Sequence, residues 1–98
     1  MKPRILVARA VPAQVLERLR QHFDVEANVE DVILDPQQLV QRLQGKQGAL
    51  TTGSERIDAA LLAACPELRV VANMAVGYNN FDIAACTARG VLATNTPD

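Results

Sequence analysis

The chain is 98 residues long and 49% hydrophobic, with no Trp, two Phe and one Tyr. That is one domain's worth of sequence, able to bury roughly two thirds of its unfolded surface around a core of Ala, Val, Leu and Ile. Ten basic and eleven acidic residues give a formal charge of −1 with no Lys/Arg block, so the electrostatic footprint of a nucleic-acid binder is missing.

The elements are expected in the following order. Arg4-Ile5-Leu6-Val7-Ala8 is apolar on both faces and reads as a central strand. A helix entered at Pro12 carries Val15, Leu16, Leu19 and Phe23 at the spacing of a buried stripe. Val25-Glu26-Ala27 is a less apolar strand, expected at an edge. Asp35, Pro36 and Gln38 read as N-cap, first and third positions of a second helix, with Leu39, Val40 and Leu43 inward and Gly45 ending it. Ala49-Leu50-Thr51-Thr52 is the third strand, and Gly53-Ser54-Glu55 turns away from it. Asp58 caps a helix bearing Leu61, Leu62 and Cys65, which Pro66 stops. Leu68 to Asn73 is the fourth strand, Val76 to Asn80 a loop, and Asp82 to Arg89 the fourth helix. Gly90 ends that helix, and Val91-Leu92-Ala93-Thr94 is the fifth strand.

Strictly alternating strands and helices imply right-handed crossovers. The expected fold is a single α/β domain, a flavodoxin-like doubly wound parallel sheet of five strands in the order 2-1-3-4-5. Ligands of such sheets bind beyond the carboxyl ends of the strands, which directs attention to the loops after strands 1, 3 and 4.

Several functions are removed by what is missing. The five glycines are scattered, with no GxGxxG or P-loop pattern, so a nucleotide has no phosphate cradle here. Arg9-Ala10-Val11-Pro12 lacks both the hydroxyl-rich loop of a flavodoxin and the acidic pair of a response-regulator receiver. Cys65 and Cys86 have no metal-ligand spacing and read as free thiols packed as small hydrophobes. His22, the single histidine, sits at the wrong end of the first helix to act as a base, so no catalytic residue and no metal ligand is assigned. No apolar stretch approaches membrane-spanning length, and the short apolar run of Met1 to Ala8 has no cleavage pattern. A cytoplasmic chain is expected, with no membrane or nucleic-acid partner.

One segment carries chemistry: Asn73-Met74-Ala75-Val76-Gly77-Tyr78-Asn79-Asn80-Phe81-Asp82. Glycine just past a parallel strand lets backbone approach a ligand, and successive N–H groups around Val76, Gly77 and Tyr78 can form an anion nest. The following helix is expected to aim its positive end at the same edge, making a receptor for a carboxylate. On these residues alone a plain βα turn, with Asn80 or Asp82 as cap, fits as well.

The segment resembles the Val-Gly-Tyr-Asp-Asn-Ile-Asp signature of the D-isomer-specific 2-hydroxyacid dehydrogenases, in particular glyoxylate/hydroxypyruvate and 2-ketogluconate reductases. The resemblance runs the length of the chain, through Pro3-Arg4-Ile5-Leu6-Val7, Arg56-Ile57-Asp58, Leu68-Arg69-Val70-Val71, Ala88-Arg89-Gly90-Val91 and Thr94-Asn95-Thr96-Pro97-Asp98. Asn79 stands where the family more usually has Asp, and Met74 where it has an aromatic residue.

The resemblance implies that residues 1–98 are the first segment of a substrate-binding (catalytic) domain. Val76 and Gly77 would donate main-chain N–H groups to the substrate carboxylate, and Thr52, Gly53 and Ser54 would line the same pocket. It also implies that the catalytic Arg, Glu and His, the NAD-binding Rossmann domain and a returning C-terminal helix all lie beyond Asp98. The parent would reduce 2-keto acids to D-2-hydroxy acids with NAD(P)H. The chain alone is expected to bind no cofactor tightly, to be inactive, and to self-associate as a homo-oligomer such as a dimer. The competing reading is a stand-alone, non-catalytic α/β module that binds small carboxylates or dimerises.

Overall fold

The computed structural model describes residues 2–9, 11–28, 34–52, 55–74 and 80–95. Strands and helices alternate as β1 (Arg4–Val7), α1 (Ala13–His22), β2 (Asp24–Ala27), α2 (Pro36–Leu43) and β3 (Gly48–Thr51), then α3 (Ala59–Ala64), β4 (Val70–Asn73), α4 (Ile83–Ala88) and β5 (Leu92–Asn95). All neighbouring strands pair parallel, in the order β2-β1-β3-β4-β5 expected from the sequence. Strand and helix limits fall within one or two residues of the sequence reading. Leu68 and Arg69 precede β4 rather than joining it.

Local chemistry accounts for the helix ends. Asp35 accepts from the Gln38 N–H at 2.8 Å while Gln38 Oε1 accepts from the Asp35 N–H at 3.0 Å, a complete capping box around Pro36. Asp58 and Asp82 cap α3 and α4 through the N–H groups of Leu61 and Ala85, at 2.9 and 3.0 Å. Helix α4 closes on Gly90 at φ +70°, where the Gly90 N–H reaches Thr87 O at 3.1 Å and the Val91 N–H reaches Cys86 O at 2.8 Å. That pair of bonds is a Schellman motif, and its left-handed residue explains the glycine.

The pairing register sorts the sheet into two faces. Leu6, Ala49, Val71 and Ala93 share one row, and Ile5, Gly48, Val70 and Leu92 share the next, so adjacent rows point to opposite sides. Right-handed crossovers place α2, α3 and α4 on the first side, because each of these connections advances the sheet in one direction. The β1-to-β2 connection runs the other way and puts α1 on the second side. The core lies under α2–α4, where Leu6, Leu39, Leu43, Ile57, Leu61, Leu62, Val71 and Cys86 are all buried. Each large aliphatic side chain sealed there contributes about 1.5–3 kcal/mol.

The second side differs from expectation. No residue of α1 is buried: Val15 is 40% exposed, and Leu16, Leu19 and Phe23 are only half covered. The stripe is real, but a single helix covers only the β2/β1 part of this face. Exposure rises along the row from Ile5 (8%) through half-buried Val70 to Leu92 (63%). Leu50 and Ala72, two rows on and on the same face, are also half-buried.

Cys65 and Cys86 are free thiols inside the core. Burial pushes both thiols up from their ordinary range, and Asp82 adds to the effect at Cys86. Both are expected to react with iodoacetamide at neutral pH at least about tenfold more slowly in the folded protein than in urea, measured by mass spectrometry over time. Equal rates in the two conditions would mean that α3 and α4 do not hold the thiols as packed.

Candidate functional site

The carboxyl ends of β3 and β4 lie side by side, with Thr51 opposite Asn73 in the register. Both side chains point to the helix-covered face, and both are sealed from solvent, together with Glu55 and Asn28. Most buried polar groups keep hydrogen-bond partners; Asn28 Nδ2 donates to Ala8 O at 3.0 Å, while Thr51, Asn73 and Glu55 join one continuous network. Thr51 Oγ1 donates to Asn73 Oδ1 at 3.1 Å, and Asn73 Nδ2 donates to Asn80 Oδ1 at 2.9 Å. Asn80 Nδ2 in turn donates to the carbonyls of Glu55 at 2.6 Å and Thr52 at 3.0 Å.

The network joins two loops. Glu55 Oε1 accepts from the Thr52 N–H at 2.8 Å and from Thr52 Oγ1 at 3.2 Å, closing the turn after β3. Main-chain bonds fasten this loop to the one after β4: Ile57 N–H to Asn80 O and Asp82 N–H to Ile57 O, both 2.8 Å, around an isolated parallel bridge between Ile57 and Phe81. Met74 N–H reaches Thr51 O at 2.6 Å on the other flank. Ile57 and Phe81 are buried beneath, so the stitch rests on the core.

Of the residues expected to grip a ligand, Thr52 is placed at this edge, half-buried, with its N–H and hydroxyl turned onto Glu55. Gly53, Ser54, Val76 and Gly77 lie outside the described residues. Their immediate frame is nevertheless defined, because Thr52 and Glu55 bracket the first pair, and Met74 and Asn80 bracket the segment holding the second. Each of these four bracketing residues takes part in the network above.

One element of the electrostatic expectation changes. Helix α4 has six residues and starts at Ile83, and Asp82 spends its own carboxylate on the Ala85 N–H. A capped end this short supplies little positive field to a ligand.

His22 is exposed at the end of α1, at the opposite edge of the sheet. Among the described residues there is no group of three His, Cys, Asp or Glu side chains fit to hold a metal ion, and no helix long and apolar enough to cross a membrane. A separate concavity of about 630 Å³ opens between the starts of α2 and α3, lined by Leu34, Leu39, Val40, Arg56, Asp58 and Leu61. Its charged lining is an exposed ion pair, Arg56–Asp58 at 3.7 Å.

The sequence reading missed Glu55, Asn73 and Asn80 as one unit. The available signal was Thr52-x-x-Glu55, the spacing of a capping box, here used to close a turn rather than to start a helix.

Comparison with known proteins agrees with this architecture. The chain is 41% identical over all 98 residues to a glyoxylate reductase of Thermococcus kodakarensis and spans 29% of that protein's length. It superposes, with a TM-score of 0.93 and 32% identity, on a structure assigned as a D-isomer specific 2-hydroxyacid dehydrogenase from Polaromonas, covering all of this chain and 31% of that one. A third relative is the NADPH-dependent glyoxylate/hydroxypyruvate reductase of Sinorhizobium meliloti in complex with NADP and malonate. It gives a TM-score of 0.75 at 33% identity, with 100% of this chain and 29% of that one covered. Residues 5–98 match the D-isomer specific 2-hydroxyacid dehydrogenase catalytic domain, and the chain belongs to that family.

Proposed function

We propose that this chain is the first substrate-binding segment of an NAD(P)H-dependent reductase that converts 2-keto acids, glyoxylate or hydroxypyruvate among them, into D-2-hydroxy acids. The observation that carries the reading is the stitched pair of loops at the β3/β4 edge, which holds the residues flanking 53–54 and 75–79 in a fixed frame. Within that frame Val76 and Gly77 offer main-chain N–H groups to the keto-acid carboxylate, and Thr52, Gly53 and Ser54 line the other wall. Malonate in the Sinorhizobium relative fits the same preference for small carboxylates.

The described residues do not fit a dinucleotide. The left-handed glycines among them, Gly45 and Gly90, both follow helix ends and lie at the sheet edge away from the loops. Pyrophosphate binding needs glycine where a strand enters a helix. The described residues therefore offer no seat for a hydride donor. The chain's own contribution is to bind and orient one end of the acid, while cofactor and proton donor come from sequence outside it. Isolated, it is inactive, and its open sheet face drives self-association.

The test compares the 98-residue polypeptide with a full-length protein that contains it, following NAD(P)H oxidation with glyoxylate and hydroxypyruvate. The short chain is expected to give no turnover. In the active full-length enzyme, Gly77→Pro removes one N–H donor and should raise the KM for glyoxylate roughly 10- to 100-fold, the cost of a hydrogen bond to a charged group. Turnover by the 98-residue chain would overturn the assignment of chemistry elsewhere. Carboxylate binding without reduction by the full-length protein would favour a non-catalytic module.

A further inference from the structure

Glu55 is 1% exposed, the one charged residue among the buried polar side chains described. Its two oxygens are treated very differently. Oε1 takes both donors of Thr52, while Oε2 is sealed from solvent and accepts no hydrogen bond among the described residues. A buried carboxylate oxygen without a partner is costly, and a turn-closing acid at the surface would avoid that cost. The main-chain carbonyl of the same residue accepts the shortest of the Asn80 bonds, at 2.6 Å. Glu55 therefore holds the loop after β3 through its side chain and the loop after β4 through its backbone.

We propose that Glu55 is a positioning residue that sets the separation of the two loops and, through Thr52, the shape of the carboxylate pocket between them. The proposal rests on the reading of these loops as the keto-acid grip. Clamping Thr52 from below fixes the direction in which the chain leaves toward residues 53 and 54. Fastening Asn80 fixes where the segment carrying Val76 and Gly77 rejoins the fold. Neither action brings Glu55 into contact with substrate.

The experiment uses the full-length protein and two variants, Glu55→Ala and Glu55→Gln. Glutamine keeps an oxygen for the Thr52 donors, so it should preserve the clamp that alanine removes. Hydrogen exchange of the peptide containing Thr52 should accelerate about tenfold or more in Glu55→Ala and recover most of the way in Glu55→Gln. The KM for glyoxylate should rise about tenfold in Glu55→Ala while the KM for NAD(P)H stays put, and Glu55→Gln should recover most of that loss. Should Glu55→Ala fail to fold, Thr52→Val removes the hydroxyl donor and is compared with Glu55→Gln in the same assays.

Unchanged exchange at Thr52 would overturn the clamp. Both KM values rising together, or glutamine as damaging as alanine, would overturn the positioning role in favour of general destabilisation. A wild-type protein that reduces no 2-keto acid, yet shows the exchange contrast, would overturn the reductase reading and leave the clamp standing.

Discussion

Asn80→Ala is expected to destabilise the protein by about 2–4 kcal/mol, read as a lower urea midpoint with the slope unchanged. The side-chain amide serves three groups from both loops: the carbonyls of Thr52 and Glu55, and the Asn73 amide. Removing it takes one hydrogen bond each from the Glu55 carbonyl, the Thr52 carbonyl and the Asn73 amide at a part-buried site, each loss costing about 1 kcal/mol. The main-chain bond from Ile57 to Asn80 O survives the substitution, so the loss belongs to the side chain. Asn80→Asp should be at least as damaging, because a carboxylate there faces two carbonyl oxygens and stands near Glu55 with no proton to offer. A destabilisation under about 0.5 kcal/mol for Asn80→Ala would mean that the two loops are held together by their backbone bridge alone.

The contrast between Asn80 and Asp82 explains what the sequence made legible. Asp82, Asp58 and Asp35 act within three residues of themselves, through helix caps, and such local chemistry is written in spacing. Strand order followed in the same way, since alternation and handedness leave few topologies. Asn80 acts across 25 to 28 residues on Glu55 and Thr52, and no periodicity reports that distance. Glu55 was visible as the end of a Thr-x-x-Glu pattern, but its burial, at 1% exposed, comes from tertiary packing that no spacing reports. The α1 stripe failed for a related reason. Periodicity at Val15, Leu16, Leu19 and Phe23 shows which face is apolar, whereas cover depends on what else lies on that side of the sheet. Right-handed connections give that side one helix and the other side three.

The 98-residue chain is expected to form dimers through that sparsely covered side, and Leu92→Lys should weaken them by about 100-fold or more. Leu92 is 63% exposed on β5, with half-buried Val70, Leu50 and Ala72 continuing the apolar surface inward. A contiguous apolar patch of this kind is rarely left to solvent. Two copies related by a twofold axis would each lose one Leu92 contact, so a substitution counts twice. Lysine also blunts the free edge of β5 against strand pairing. Ile83→Lys provides the control: Ile83 is 45% exposed but lies on α4, across the sheet, and its substitution should leave the dimer intact. Sedimentation equilibrium over a wide concentration range separates the outcomes. A wild-type chain that stays monomeric at high concentration would refute the prediction, and weakening by Ile83→Lys but not Leu92→Lys would move the interface to the helical side.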